Sequence, residues 1–489
     1  MKPVAWIRRP SVLATILVSL ASSTPSRADD DDEPPHYFTA FGWTALVLAL
    51  PSIYYFETQN QQKVDWAMGW DWRSWKTKLF TLDALRWDTN GFEKNAIDHP
   101  LTGVGDYQFG RTNGFGMLGS ELLAFGAGVF WEYVIEFHEN PSINDLIMNP
   151  AGGIAVGEPL YQLGEIWRGG VISWGDRART ALFSPFAAAQ DLWRRPNRWW
   201  RPRVWHDFQF TAGAARHDLP AGATRDEVRV GADFDLVHHR DFLLPGERSG
   251  AVSPGAWSRV AMRYRFANVD GGTQIVGTWF HSRTTIAGYY AQTAEGNGMY
   301  AGIGSALSYR HDWLGAEWDR ALFAHLLGPQ LQLSHRSLDF AARWDLGVYG
   351  DFSMIQAHVF GPVSPLPRPP PLYSTVQADG YYDGAGGSVI TRLRTDLGPW
   401  HLDGELSLHR VWQLDGADRS TATARTDGLS VAPHGITDWR MYGYGSFGYQ
   451  MSPWGISVFV EGAARHGTWE ALQRTTSDLS LGLAATLEL

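Results

Sequence analysis

Over residues 206–489 the chain alternates, one residue at a time, between apolar and charged side chains, and this pattern restricts the fold more than any other feature. The last segment puts Leu479, Leu481, Leu483, Ala485, Leu487 and Leu489 on one face and Ser480, Gly482, Ala484, Thr486 and Glu488 on the other. Upstream, Ile456, Val458 and Val460 oppose Ser457 and Glu461; Leu402, Leu406 and Leu408 oppose Asp403, Glu405 and His409. Phe340, Trp344, Leu346 and Val348 oppose Asp339, Arg343 and Asp345, and Val260, Met262 and Tyr264 oppose Arg259, Arg263 and Arg265. A period of two means β-strand. The charged face excludes a packed apolar core, and segments of about ten to thirteen residues suit tilted membrane strands better than the five or six of a soluble sandwich. Opposite charges, such as Arg343 with Asp339 and Asp345, are expected to compensate one another across a narrow lumen.

Connections fall into two lengths. Tight turns are expected at Gly398-Pro399 and Ser452-Pro453, and long loops over 361–384 and 415–437, the asymmetry between periplasmic turns and external loops. Within the first loop, residues 365–371 (Pro-Leu-Pro-Arg-Pro-Pro-Pro) suit a rigid external segment. About twelve strands result. The composition agrees: 24 Trp, 18 Tyr and 53 Gly among 489 residues is the load of a membrane barrel, whose aromatic residues sit at both interfaces. The net charge of -10 argues against a nucleic-acid partner. The absence of cysteine rules out disulfides, thiolate metal sites and a lipoprotein acyl anchor.

The chain begins with Lys2, Arg8 and Arg9, an apolar stretch over 12–21 and the small-residue pattern Ser26-Arg27-Ala28, which reads as a secretory signal peptide over 1–28. An acidic leader (29–36) follows, then a helical domain (37–192), a basic and aromatic linker (193–205, Trp-Arg-Arg-Pro-Asn-Arg-Trp-Trp-Arg-Pro-Arg-Val-Trp) and the barrel (206–489). The linker suits the lipid headgroup level or an ordinary interdomain connection. The expected fold class is α+β, an N-terminal helical domain followed by an antiparallel transmembrane β-barrel. The apolar stretch 41–55 is short and contains Pro51, so an interfacial or buried helix is expected there rather than a span.

Residues 115–137 read as one long, nearly uncharged helix carrying Glu121, Glu132 and Glu136. Eleven positions at 100° bring Glu121 and Glu132 to one face, with Glu136 a turn beyond. Carboxylates in apolar surroundings must be paired, neutralised or ligating. Candidate partners flank the helix: His99, Tyr107 and Arg111 before it; His138, Ser142, Asp145, Asn149 and Glu158 after it. The run His99-Pro100-x-x-Gly103, Arg111-x-Asn113-Gly114, Trp131-Glu132-Tyr133-x-x-Glu136, Pro141-Ser142-x-x-Asp145 and Asn149-Pro150-x-Gly152-Gly153 with Gly157-Glu158 resembles an uncharacterised family of exported bacterial envelope proteins, a domain of unknown function. The resemblance covers roughly 60–170. It implies an envelope location and a barrel-like C-terminal region, and no reaction.

Three readings of the cluster stand side by side. In a structural network, Arg111 pairs with Glu132 or Glu136, Asp145 and Asn149 cap turns, and the glycines let backbones approach. A metal site would draw on His99 or His138 with the glutamates, although no H-E-x-x-H pair is present. A lipid-handling site would use His99 as acid and base with an orienting carboxylate; Ser142 as nucleophile lacks a G-x-S-x-G elbow. Histidines on the barrel's charged face, His401 and His409, are expected to be solvated. No cofactor is expected. The functional expectation is an outer-membrane barrel with a helical plug or brace, periplasmic or inside the lumen, acting in envelope maintenance or transport; the alternative is an enzyme or binding protein acting on outer-membrane lipids. Outer-membrane lipids and, during biogenesis, the barrel-assembly machinery are the expected partners.

Overall fold

The computed structural model describes residues 34–489 except 63–67, 82–83, 88–89, 169–171, 194–203, 240–241, 315–317, 358–379, 415–434 and 470–471. The signal peptide, most of the acidic leader, most of the linker, the proline run and the long loops therefore lie outside the described residues.

Thirteen antiparallel strands form one closed sheet: β1 (Trp205–Asp218), β2 (Thr224–Val237), β3 (Arg248–Val252), β4 (Trp257–Val269), β5 (Gly272–Gln292), β6 (Asn297–Trp313), β7 (Trp318–Arg336), β8 (Phe340–Ala357), β9 (Tyr381–Leu397), β10 (Trp400–Gln413), β11 (Thr437–Met451), β12 (Trp454–Trp469) and β13 (Leu472–Glu488). β3 and β4 share β5, the first opposite Gly288 to Gln292 and the second opposite Gly272 to Thr284, so thirteen strands make twelve staves. The ring shuts where β1 meets β13, with Gln209 opposite Glu488. The twelve full staves run 13 to 21 residues, longer than the alternation shows, because their ends leave the strictly two-sided zone. The β4–β5 hairpin turns on Asp270 and Gly271, both at positive φ, the requirement of a two-residue turn that follows strand twist. Tight connections also stand at Gly398-Pro399 and Ser452-Pro453.

The charged face points inward and cross-links the lumen. Arg259 reaches Glu405 at 2.9 Å, Arg392 reaches Asp233 at 2.8 Å and Arg310 reaches Glu461 at 3.3 Å. Each of these pairs joins strands six steps apart around the twelve-stave ring, so the bonds cross its full width. Arg440 and Arg465 both hold Asp319 and Asp438. Arg343 bonds Asp345 at 3.3 Å and, across the lumen, Asp235, in place of the expected Asp339. Inward apolar clusters lie at both mouths. Phe323, Ile355, Tyr382, Val411 and Trp469 meet at one end, and Phe242, Trp257, Tyr290 and Tyr300 at the end where β1 begins.

The helical domain comprises α1 (Tyr37–Gln62), α2 (Trp72–Phe80), α3 (His99–Thr112), α4 (Met117–Phe130), α5 (Ile143–Gly152), α6 (Glu158–Glu165), α7 (Trp174–Phe183) and α8 (Pro185–Gln190). A π-turn (Trp131–Ile135) extends α4, and another (Gly153–Gly157) fuses α5 to α6, giving one helical run from Ile143 to Glu165. The expected helix over 115–137 is thus α4 plus its π-turn. α1 continues through Pro51 and is mostly exposed, so of the interfacial or buried helix expected there it is not the buried one.

This domain packs on the outside of the barrel. Leu163 and Phe183 meet Phe234, Leu236 and Val260, while Met148 and Ala151 meet Leu307, Leu322, Phe352 and Met354. These strand residues alternate with Asp233, Asp235, Arg259, Asp351 and Ser353, which point inward, so by strand parity the helices touch the outward face. Trp87 stacks on Phe352 at 5.8 Å, Ser282 Oγ donates to the Ala155 carbonyl at 2.6 Å, and Glu93 pairs with Arg320. The expectation of a lumen plug is thereby corrected. Ion pairs already fill the interior, and the apolar helix faces find their complement on the outer wall.

Candidate functional site

The sequence-predicted residues divide between two ends of the helical layer. Near the mouth where β1 begins, Glu158 is fully buried at the start of α6. It accepts from Tyr107 Oη at 2.6 Å, Gln162 Nε2 at 2.6 Å and Arg111 Nη2 at 3.1 Å, with Arg111 Nε 2.7 Å away. Arg111 lies over the Tyr161 ring at 4.5 Å and donates to the Phe115 carbonyl at 2.8 Å. Arg111 therefore pairs with Glu158 and with neither Glu132 nor Glu136. The reason is direction: α4 runs antiparallel to α3, carrying its own C-terminal acids to the far end. Gly255, in the connector between β3 and β4, closes the cluster. At φ +79° it comes so near that a Cβ would stand 2.1 Å from Glu158 Oε1.

At the other end, Glu132 accepts the Ser142 backbone N–H at 2.6 Å, satisfying one of the free donors that begin α5. Ser142 caps that helix: its Oγ takes the Asp145 N–H at 3.2 Å and donates to Asn144 Oδ1 at 2.8 Å. The hydroxyl is engaged with Asn144 rather than an imidazole. His99 Nε2 faces Asp145 Oδ1 at 3.3 Å, and His138 Nδ1 bonds the Met68 carbonyl at 2.7 Å, so the two histidines serve different partners. Among the described residues no three His, Asp or Glu side chains converge to hold a metal ion. Glu121 shares the inward stripe with Glu132, as the spacing requires, and its Oε2 faces Gly153. Asn149 packs on Gly128, and its carbonyl leaves no room for a Cβ at Gly103.

Glu136 follows the π-turn. Burial, with Glu132 beside it, pushes its carboxyl well above the usual carboxylate range. Lys78, which sequence reasoning missed, donates to the carbonyls of Glu136 at 2.6 Å, Phe137 at 3.2 Å and Glu139 at 2.7 Å. Burial pulls its ammonium down to about 8, still protonated at neutral pH. Lys78→Met is expected to leave these carbonyls unsatisfied and to cost about 2–3 kcal/mol, read as a lower melting temperature of the reconstituted protein, with Lys78→Arg retaining part of the loss.

A second polar array was hidden in the barrel. His281 bonds Ser308 at 2.9 Å, Ser308 bonds His325 Nε2 at 2.9 Å, and His325 Nδ1 bonds Asp351 at 2.6 Å. Asp351 also accepts from Ser388, which bonds His409 Nδ1 at 2.6 Å. His409 is thus buried and bonded, contrary to the expectation of a solvated residue. The order Ser308, His325, Asp351 is that of a nucleophile, a base and an orienting acid. Here it forms part of a longer chain between two apolar stoppers, an arrangement that satisfies buried groups.

Residues 84–186 match a family described as "Domain of unknown function (DUF3943)". No curated protein matches the chain. Among solved structures, the Pseudomonas putida toluene transporter TodX is 10% identical, with a TM-score of 0.22, over 58% of this chain and 89% of that one. The translocator domain of autotransporter NalP from Neisseria meningitidis is 11% identical, with a TM-score of 0.18, over 58% and 88%. The outer membrane protein opdK from Pseudomonas aeruginosa is 9% identical, with a TM-score of 0.19, over 58% and 99%. Residues 84–186 are thus similar to that family, and the strands that follow close into an antiparallel barrel.

Proposed function

We propose that this protein is a non-conducting outer-membrane barrel that serves envelope maintenance as a scaffold, with its helical domain bracing the outer wall. The observation that carries the reading is the set of Arg–carboxylate pairs joining opposite strands, Arg259 with Glu405, Arg392 with Asp233 and Arg310 with Glu461. A conducting barrel keeps a water-filled lumen; here paired side chains occupy the width, and aromatic clusters lie at both mouths. Braced in this way, the barrel is a rigid body that presents surfaces to outer-membrane lipids and neighbours rather than a path through itself.

The test is electrical. Full-length mature protein in planar bilayers is expected to give no current steps above baseline. Steady channel openings, with ion selectivity altered by Arg392→Met, would overturn the scaffold reading in favour of transport.

A further inference from the structure

Resting on the reading of the barrel as a membrane body, we propose that the helical domain lies inside the bilayer, with the free faces of α1 and α4 in contact with lipid acyl chains. The lipid-facing perimeter is then part helix and part strand.

Direction is the first support. The run from Ile143 to Glu165 starts against β7 and β8, near the mouth holding the long connections, and ends against β2 and β4, near the opposite mouth. At 1.5 Å per residue it extends about 34 Å, close to the roughly 30 Å of hydrocarbon in a bilayer. α3 runs parallel to it, Pro100 lying by Gly152 and Tyr107 by Gly157, while α4 runs antiparallel, Glu121 lying by Gly153 and Gly128 by Asn149. The helices therefore follow the barrel wall from one mouth to the other.

Surface chemistry is the second. Residues 37–56 of α1 contain no charged side chain, and Phe38, Leu46, Leu50 and Ile53 are exposed. On α4, Leu118, Leu122 and Phe125 are exposed, while Glu132 is buried and Glu121 turns toward Gly153. α1 over Tyr37–Glu57, and α4 taken with its π-turn over Met117–Ile135, are long and apolar enough to cross a membrane, and both are mostly unburied. An apolar face of this extent in water is an aggregation hazard. It continues the surface that β9 to β13 present, where Leu393, Leu406, Val458 and Leu483 are equally exposed.

The covered strands supply the third. Their outward positions include Ser258, Ser282 and Thr284, all buried: Ser258 bonds Thr284 at 3.2 Å and Ser282 bonds the Ala155 carbonyl. Hydroxyls directed at hydrocarbon without partners are costly. They occur where a helix, rather than lipid, is the neighbour. Finally, tryptophan and basic residues gather at both ends of the layer, Trp70, Trp72 and Arg73 at one and Trp174, Arg177 and Arg179 at the other, the composition of membrane interfaces.

The chain has no cysteine, so single nitroxide labels can be placed without background. Full-length protein carrying Leu50→Cys or Leu122→Cys on the helices, or Leu406→Cys or Leu483→Cys on the strands, would be reconstituted in phosphatidylcholine–phosphatidylglycerol vesicles. Collision with oxygen and with a water-soluble nickel chelate is then measured. Lipid contact predicts high oxygen and low nickel collision at all four sites. If the strand sites read as lipid and the helix sites as water, the inference fails while the barrel reading survives. Helix sites shielded from both reagents would mean that a protein surface covers them, which also overturns the inference. Nickel access at the strand sites would remove the membrane reading itself.

Discussion

Glu158→Ala is expected to loosen the helical layer without opening the ring. The substitution leaves Arg111 and the Tyr107 hydroxyl buried without their acceptor, and breaking such a pair from one side costs about 3–5 kcal/mol. The loss falls on the packing of α3 against α6, because Glu158 bonds only helix residues and the twelve staves are held by their own backbone ladders. Limited proteolysis should therefore cut within 37–192 of the variant at protease levels that spare the native protein, while the barrel stays folded and heat-modifiable on electrophoresis. Glu158→Gln, which keeps an acceptor for Tyr107 but loses the charge opposite Arg111, should fall between the two. Joint loss of helices and barrel would mean that the helices are an integral part of the ring's stability rather than a brace upon it.

Arg259→Met is the second large effect, and it acts on the ring. Arg259 is fully buried, bonds both oxygens of Asp233 at 3.0 and 2.9 Å, and reaches Glu405 on the facing strand. Its removal strands Glu405 and leaves Asp233 to Arg392 alone, again at about 3–5 kcal/mol, and is expected to lower the urea midpoint of the reconstituted barrel. Adding Glu405→Leu should recover part of this, since Arg392 still neutralises Asp233 at 2.8 Å. A double-mutant cycle separates the pair's coupling from simple loss of packing. Additive effects of the two substitutions would mean that the bond across the lumen contributes nothing.

What the sequence disclosed follows from what alternation encodes. Charges at every second position of β4, β8 and β10 assigned the inward face correctly, and the eleven-residue spacing put Glu121 and Glu132 on one stripe. Alternation says which face of a strand is apolar, but not whether lipid or a helix covers it. Whether the helical domain plugs the lumen or braces the wall is therefore a choice that residue periodicity has no power to make. Traces of the helices in the strand sequences are Ser258, Ser282 and Thr284, outward hydroxyls, and the outward Arg320 that pairs with Glu93. The partner of Arg111 was missed for a similar reason. Helical periodicity places residues on faces, while the relative direction of α3, α4 and α6 decides which faces meet. The lumen chain from His281 to His409 draws on β5, β6, β7, β8, β9 and β10, and no local spacing could announce it.

The helices leave the junction of β1 with β13 bare beyond Phe208, and Leu479, Leu481 and Leu483 lie open along it. Zipping the final hairpin onto the first strand is thus geometrically independent of seating the N-terminal layer. A nascent sheet can carry that layer on its flank while its two free edges search for each other, and sealing them requires no rearrangement on the opposite side.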